Sequence, residues 1–249
     1  MDKLIYTAVT GMTDSMTRER VIASNMANSG TVGFKAEMLY STPVTLVGPA
    51  LEARAMTSAE VKGANMHQGS LNQTGNTLDI AMQGSAMMAV QAPDGTEVYT
   101  RRGDLSISPT GVLSNGDGRP VIGAGGPITV PTDGIIKIGP DGSVLSVDPA
   151  NPNLAPSVVD RIKVGSTDGF SIAKGLDGFF RVVGGGVLPA DDNAQVSVGA
   201  LEQSNVSPSE VMVEMVRASR LFDIRTKLIS TAKDVDQSGT SLLRQSGSS

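Results

Sequence analysis

The chain has 249 residues, among them 12 Met, no Cys and no Trp, and it carries a formal net charge of -5. Without Cys it has neither disulfides nor thiolate ligands, and its negative balance speaks against a broad nucleic-acid footprint, which needs clustered Lys and Arg. Only 3% of the residues are aromatic, a sparse lining for the apolar pockets that hold substrates and cofactors, and no window approaches the run of about 18 apolar residues that crosses a membrane.

Residues from about Asp2 to Asn28 are predicted to form an amphipathic helix. At roughly 100° per residue, Leu4, Ile5, Ala8, Val9, Met12, Met16, Ile22, Ala23 and Met26 fall on one stripe. Lys3, Thr7, Asp14, Arg18 and Asn25 lie opposite, and Glu19 intrudes on the apolar side. Asn28, Gly30 and Gly33 end the helix, because Asn and Gly accept the left-handed conformation of a C-cap. Met1–Tyr6 leads into Thr, Asp, Arg and Glu, without the apolar stretch of a cleaved secretory signal. Export would then need another route.

From Ser41 to Gly75 no period is clear, and Pro43, Gly48, Pro49, Gly63 and Gly69 interrupt the chain. An extended connector is expected over 36–77, lying along a partner. From Leu78 to Ala200 turn signals recur at Pro93-Asp94-Gly95, Pro109-Thr110-Gly111, Asn115-Gly116, Asp133-Gly134, Pro140-Asp141-Gly142 and Asp177-Gly178. Between them lie short β-branched runs, among them Val98–Thr100, Leu105–Ile107, Ile128–Val130, Ile135–Ile138 and Val196–Val198. This punctuation indicates an all-β domain over 78–204.

Ser207-Pro208-Ser209-Glu210 reads as a capping box with Pro at the first helical position. It opens a second long helix within 205–249. Val211, Met215, Ala218, Phe222 and Ile229 form one apolar row on it. Leu221, Ile224, Leu228 and Val235 form another beside it. Together they cover about half the circumference, wider than the stripe a surface helix needs against one core. Contact with more than one neighbour is the expectation. The expected class is α+β: long terminal helices packed together, an all-β insert and an extended connector.

Catalytic, metal and cofactor constellations do not emerge. His67 is the only His, so a Ser/His/Asp triad or a His-rich metal site would hang on one linker residue. Gly123-Ala124-Gly125-Gly126-Pro127 lacks the Lys-Ser/Thr of a phosphate loop. Asp117, Asp133 and Asp141 precede Gly in turns, without the closing Glu of a calcium loop. Asp191-Asp192 is an adjacent acidic pair in a loop after Pro189. The terminal helices could pair with each other; a membrane-surface role would want basic and aromatic residues that the first helix lacks.

Asn25-Met26-Ala27-Asn28-Ser29-Gly30-Thr31-Val32-Gly33-Phe34-Lys35 resembles the signature Asn-Leu-Ala-Asn-x-x-Thr-x-Gly-Phe-Lys of the flagellar rod and hook family. Asn25, Ala27, Asn28, Thr31, Gly33, Phe34 and Lys35 match it. Ala81–Val90 resembles a second family block, with Ala86 in place of Gly and Met87-Met88 in place of a Phe pair. Pro93–Gly95, Tyr99–Gly103, Gly126–Pro131 and Ser204–Val206 are similar to further blocks in the same order. The length suits two rod proteins, one proximal and one distal, and Met1–Tyr6 is similar to the proximal one.

The resemblance implies a terminal-helix domain called D0 around a β domain called D1, from 1–35 with 205–249 and from 78–204. It implies a structural rod subunit rather than an enzyme, without cofactors, sited in the periplasmic part of the flagellar basal body. Implied partners are further copies, other rod proteins and, during secretion, the flagellar type III export apparatus. Neither nucleic acid nor direct membrane insertion is expected. Ile5, Ala8, Met12, Met16, Ile22, Met26, Val211, Met215, Phe222, Ile224, Leu228 and Ile229 are the expected assembly interface. A soluble β-domain binding module and a lytic, carbohydrate-active β enzyme stand as competing classes.

Overall fold

The computed structural model describes residues 2–45, 55–150 and 155–246. Helix α1 spans Asp2–Ala27 and helix α2 spans Pro208–Ser246. Between them run β1 (Glu37–Thr45), β2 (Ala55–Ala64), β3 (Leu71–Gln73), β4 (Ile80–Met82), β5 (Ala86–Gln91), β6 (Glu97–Thr100), β7 (Leu105–Ile107) and β8 (Leu113–Asn115). Then follow β9 (Ile135–Ile138), β10 (Ser143–Val147), β11 (Ser157–Arg161), β12 (Val164–Ser166), β13 (Ile172–Lys174), β14 (Phe180–Val182), β15 (Val196–Val198) and β16 (Ala200–Glu202). The class is α+β, as expected.

The chain divides into two units, and it passes between them at 27/28, 36/37, 62/63 and 206/207. The helical unit holds α1, residues 37–62 and α2. The β unit holds 28–36 and 63–206. Two differences from the sequence expectation follow. The stretch 36–77, expected as a connector, contains the paired strands β1 and β2. Pro43 and the glycines hide their alternation, and a two-stranded ribbon tolerates Pro because each strand has a free edge. Residues 28–36, which hold the signature from Asn28 to Lys35, join the β unit rather than the first helix, because their side chains and backbone are bonded there.

Within the β unit a five-stranded sheet has the order β12-β5-β6-β14-β13, and a three-stranded sheet has the order β11-β10-β9. The pairs β15-β4, β16-β3 and β7-β8 complete it. β5 is buried on both faces. Met88 and Val90 enter the main core with Ile80, Met82, Leu113 and Val144. Met87 and Ala89 point the other way, to Tyr99, Phe180 and Leu188. Period-2 alternation therefore places the two adjacent Met side chains in two cores.

Turn chemistry holds the strands apart. Gly95, Gly111, Gly142 and Gly178 all take positive φ at the marked turns. Of the β-branched runs, Ile128–Val130 is not a strand: Thr129 forms an isolated bridge with Val112, and the Ile128 and Val130 N–H groups donate to the carbonyls of Val121 and Gly111 at 2.9 and 2.8 Å. Pro127 and Pro131 flank it and cannot donate to a ladder.

Candidate assembly surface

α1 and α2 run antiparallel: Val21 and Ile22 lie across from Ala218, whereas Gly11 and Ser15 meet Arg225 further along α2. The Arg225 guanidinium donates to the Gly11 carbonyl and the Ser15 hydroxyl. It also stands 3.8 Å from the Asp14 carboxylate. Strand β1 lies along the same helix. Asn25 Oδ1 accepts from the Glu37 N–H at 2.8 Å and its Nδ2 donates to the Glu37 carbonyl at 3.1 Å, much as a neighbouring strand would. Ser41 donates to Asp14 at 2.9 Å.

These contacts select the face α1 spends inside its own subunit. Asp14, Ser15, Val21, Ile22 and Asn25 are buried. Much of the apolar stripe read from sequence turns elsewhere. Met16 is 58% exposed and Val9 and Ala23 are exposed too, while Ala8, Met12 and Met26 are half-buried. Ile22 alone of the expected α1 positions is buried here, and the side chain of Ile5 lies outside the described residues.

The two rows of α2 part company. In the first row Val211 and Ala218 are buried, Phe222 and Ile229 half-buried, and only Met215 exposed. In the second row Leu221, Ile224, Leu228 and Val235 are all exposed, Ile224 by 58% and Leu228 by 61%. A helix half apolar around its girth thus uses one row within the subunit and leaves the other open. A contiguous exposed apolar row of this kind is a candidate interaction surface.

The signature residues divide by role. Asn25 clamps β1. Asn28 and Thr31 close the turn after α1, with the Thr31 N–H on the Asn28 carbonyl at 3.1 Å and the hydroxyl on Oδ1 at 3.1 Å. Gly33 has φ 69° and donates to the Glu202 carbonyl at 2.7 Å. A Cβ there would stand 2.4 Å from the Arg101 carbonyl carbon, so only Gly fits. The Phe34 ring lies under Lys174 Nζ at 3.6 Å. Ala27 is exposed at the end of α1.

Lys35 ends the signature in a fully buried ion cluster. Its Nζ donates to Glu202 Oε1 at 2.6 Å and to the His67 carbonyl at 2.7 Å. Glu202 Oε2 accepts from Arg101 Nε at 2.7 Å. Three more Arg101 N–H groups donate to the carbonyls of Gly84, Ala86 and Met82, at 2.7, 2.8 and 2.7 Å. All three charged side chains are 0% exposed in their pairs. Burial pushes the Lys35 ammonium below its ordinary value, and the Glu202 bond and charge oppose that. Sequence reasoning singled out Lys35 as a signature residue but neither Arg101 nor Glu202 for this role; Arg101 lay in a quoted family block, whereas Glu202 carried no local signal.

Asn205 ties the same place together. It accepts from the Ala36 N–H at 2.8 Å and donates to the carbonyls of Asn65 and His67 at 2.7 and 2.9 Å. His67 enters through its backbone; its side chain is exposed.

Family models match three stretches of the chain. Residues 5–35 match the flagella basal body rod protein, residues 81–146 the D1 domain of flagellar hook proteins FlgE/F/G, and residues 197–242 the C-terminal region of the flagellar basal body rod FlgEFG proteins. The flagellar basal-body rod protein FlgF of Salmonella typhimurium is 37% identical over 252 residues, covering 99% of this chain and all of the relative. This chain belongs to the flagellar basal-body rod protein family. The FlgF of Escherichia coli is likewise 37% identical, over 94% of this chain and 95% of its own. The rod protein FlgG of Bacillus subtilis is 30% identical over 98% of this chain and all of its own. The first family model ends on Lys35, so it takes in the whole signature, and the third contains both Glu202 and the α2 rows.

Proposed function

We propose that this chain is a structural subunit of the bacterial flagellar basal-body rod, of the proximal FlgF type. The helical unit assembles side by side with further copies and with other rod proteins, and its open apolar rows are the assembly surface. Assembled subunits form a hollow shaft in the periplasm that transmits torque and whose helices line the export channel. The observation that carries this reading is the exposed Leu221–Val235 row beside a row already used within the subunit. Greater identity to the two FlgF relatives than to the Bacillus FlgG, at similar coverage, favours the proximal position over the distal one.

The same reading holds that the chain is exported by the flagellar type III apparatus and uses neither cofactor nor nucleic acid. No helix among the described residues is long and apolar enough to cross a membrane, which supports a subunit held by protein contacts. A catalytic role finds little support. In the cleft lined by Glu97, Arg161, Lys163, Asp191 and Asp192, Glu97 pairs with Lys163 at 2.7 Å and Asp192 with Arg161 at 3.1 Å. Asp191 caps its own turn, accepting from the Asn193 N–H at 2.9 Å. These carboxylates are committed to ion pairs and turns rather than set against each other.

Leu228→Asp tests the assembly surface. Leu228 suits this better than Phe222, which is half-buried within the subunit. The purified variant is expected to keep the circular dichroism of the wild type. Its incorporation into basal bodies, in a strain lacking its own FlgF, should fall by roughly 10- to 100-fold, the loss of one buried apolar side chain. Wild-type incorporation and swimming would remove this row from the interface.

A further inference from the structure

Resting on the rod reading, we propose that Met16, Met212 and Met215 are sites of methionine oxidation, and that peroxide reaching them before a neighbour covers them keeps the subunit out of the rod. The chain has 12 Met and no Cys, so thioethers are its only oxidisable sulfur. The structure sorts them by unit. Among the described residues, Met16, Met38, Met212 and Met215 are exposed, by 40% to 58%, and all four lie in the helical unit. Met82, Met87 and Met88 are 0% exposed, and all three lie in the β unit. A flexible thioether suits a surface that adapts to several neighbours. It also brings a chemistry that Leu at the same positions would not.

Met212 and Met215 are neighbours on the surface of α2, and Val216, itself exposed, lies one turn on from Met212. Met16 and Met215 belong to the apolar stripes expected at the interface. The sulfur of each takes one oxygen atom from hydrogen peroxide: an S–O bond forms, the O–O bond breaks, sulfur gives up two electrons and the peroxide leaves as water. The product is a polar, chiral sulfoxide. A neighbour that buries it must strip water from the new S–O dipole, where the thioether cost nothing of the kind. Susceptibility follows exposure, so the vulnerable interval lies between export and docking, and a covered thioether is as shielded as those of the β unit.

Two measurements test this. The purified full chain is treated with hydrogen peroxide and sulfoxide is followed by mass spectrometry of its peptides. Met16, Met212 and Met215 are expected to oxidise several-fold faster than Met82, Met87 and Met88, and equal rates overturn the assignment. In cells lacking the native subunit, the wild type is then co-expressed with a chain carrying Met16→Leu, Met212→Leu and Met215→Leu, which keeps the apolar surface. Peroxide is given at a dose that places sulfoxide on the unassembled wild type, and the two chains are counted in basal bodies by their distinct peptides. The ratio of wild type to variant should fall about tenfold against the untreated culture, as for one apolar side chain withdrawn from an interface. Both chains meet the same neighbours, so damage to other rod proteins cancels. Within the wild type alone, sulfoxide at the three positions should be several-fold rarer in basal bodies than in the unassembled pool. An unchanged ratio, or equal sulfoxide in the two pools, overturns the proposal alone. Absence of both chains from untreated basal bodies overturns the rod reading and this proposal with it.

Discussion

The β unit and the helical unit solve opposite problems with similar residues. In the β unit Met82, Met87, Met88, Val90, Leu113 and Leu188 are wholly buried, and three charged side chains are sealed among them. In the helical unit Met16, Met212, Val213, Val216, Ile224 and Leu228 stand half exposed or more, while the buried face of α1 carries Asp14, Ser15 and Asn25. Apolar surface left open in a subunit gains its free energy only when a neighbour covers it. The β unit thus seals an apolar core and an ion cluster of its own, whereas the helical unit leaves a row of large apolar side chains open.

Glu202 gives the largest effect and the sharpest test of the first half. Lys35 and Arg101 both depend on it, so Glu202→Leu strands two buried cations and is expected to cost about 3–5 kcal/mol. Lys35→Met leaves Arg101 and Glu202 paired, and Glu202 Oε1 still accepts from the Gly69 N–H at 2.9 Å. Its expected cost is about 1–2 kcal/mol, the loss of charge-assisted hydrogen bonds. Urea unfolding followed by the buried Tyr99 reads both. Equal midpoints for the two variants would show that the cluster is not what closes this unit.

Arg225 examines the second half. It is a polar fastening between α1 and α2, and Arg225→Ala removes its bonds to Gly11 and Ser15, at an expected cost of about 1–3 kcal/mol to the helix pair. Amide exchange should quicken in both helices while β5 and β6 stay as protected as before, since distant sites without shared partners act independently. Uniform loss of protection across the chain would mean that the two units fold as one.

Sequence carried the helices well because their signals are local. The Ser207 hydroxyl does accept from the Glu210 N–H, at 3.5 Å, and the Ser207 carbonyl from the Val211 N–H at 3.0 Å. The turns were legible for the same reason: Asp141 accepts from the N–H of Ser143 two residues on, at 3.1 Å. The ion cluster was not, because Lys35 and Glu202 are 167 residues apart and Arg101 and Glu202 are 101 apart. Nor does periodicity say which of two apolar rows a helix spends at home. Val211 and Leu221 look alike in sequence, and only the position of α1 separates them.

Asp177 and Arg181 mark the weak end of the β unit. They pair at 2.6 Å in the β13–β14 hairpin with both side chains partly exposed, so Asp177→Asn should cost less than about 1 kcal/mol. The Arg181 hydrogen bond, foremost, holds the Asp177 carboxyl below its ordinary 3.8. A depressed carboxyl contributes its stability above that ordinary value and loses it as pH falls through the folded one. Variant and wild type should therefore differ slightly near neutrality and converge in strong acid, and added salt should narrow the neutral difference. A neutral-pH difference as large as that of Lys35→Met would place this hairpin among the parts that close the β unit, and the contrast between sealed cluster and solvated pair would have to be redrawn.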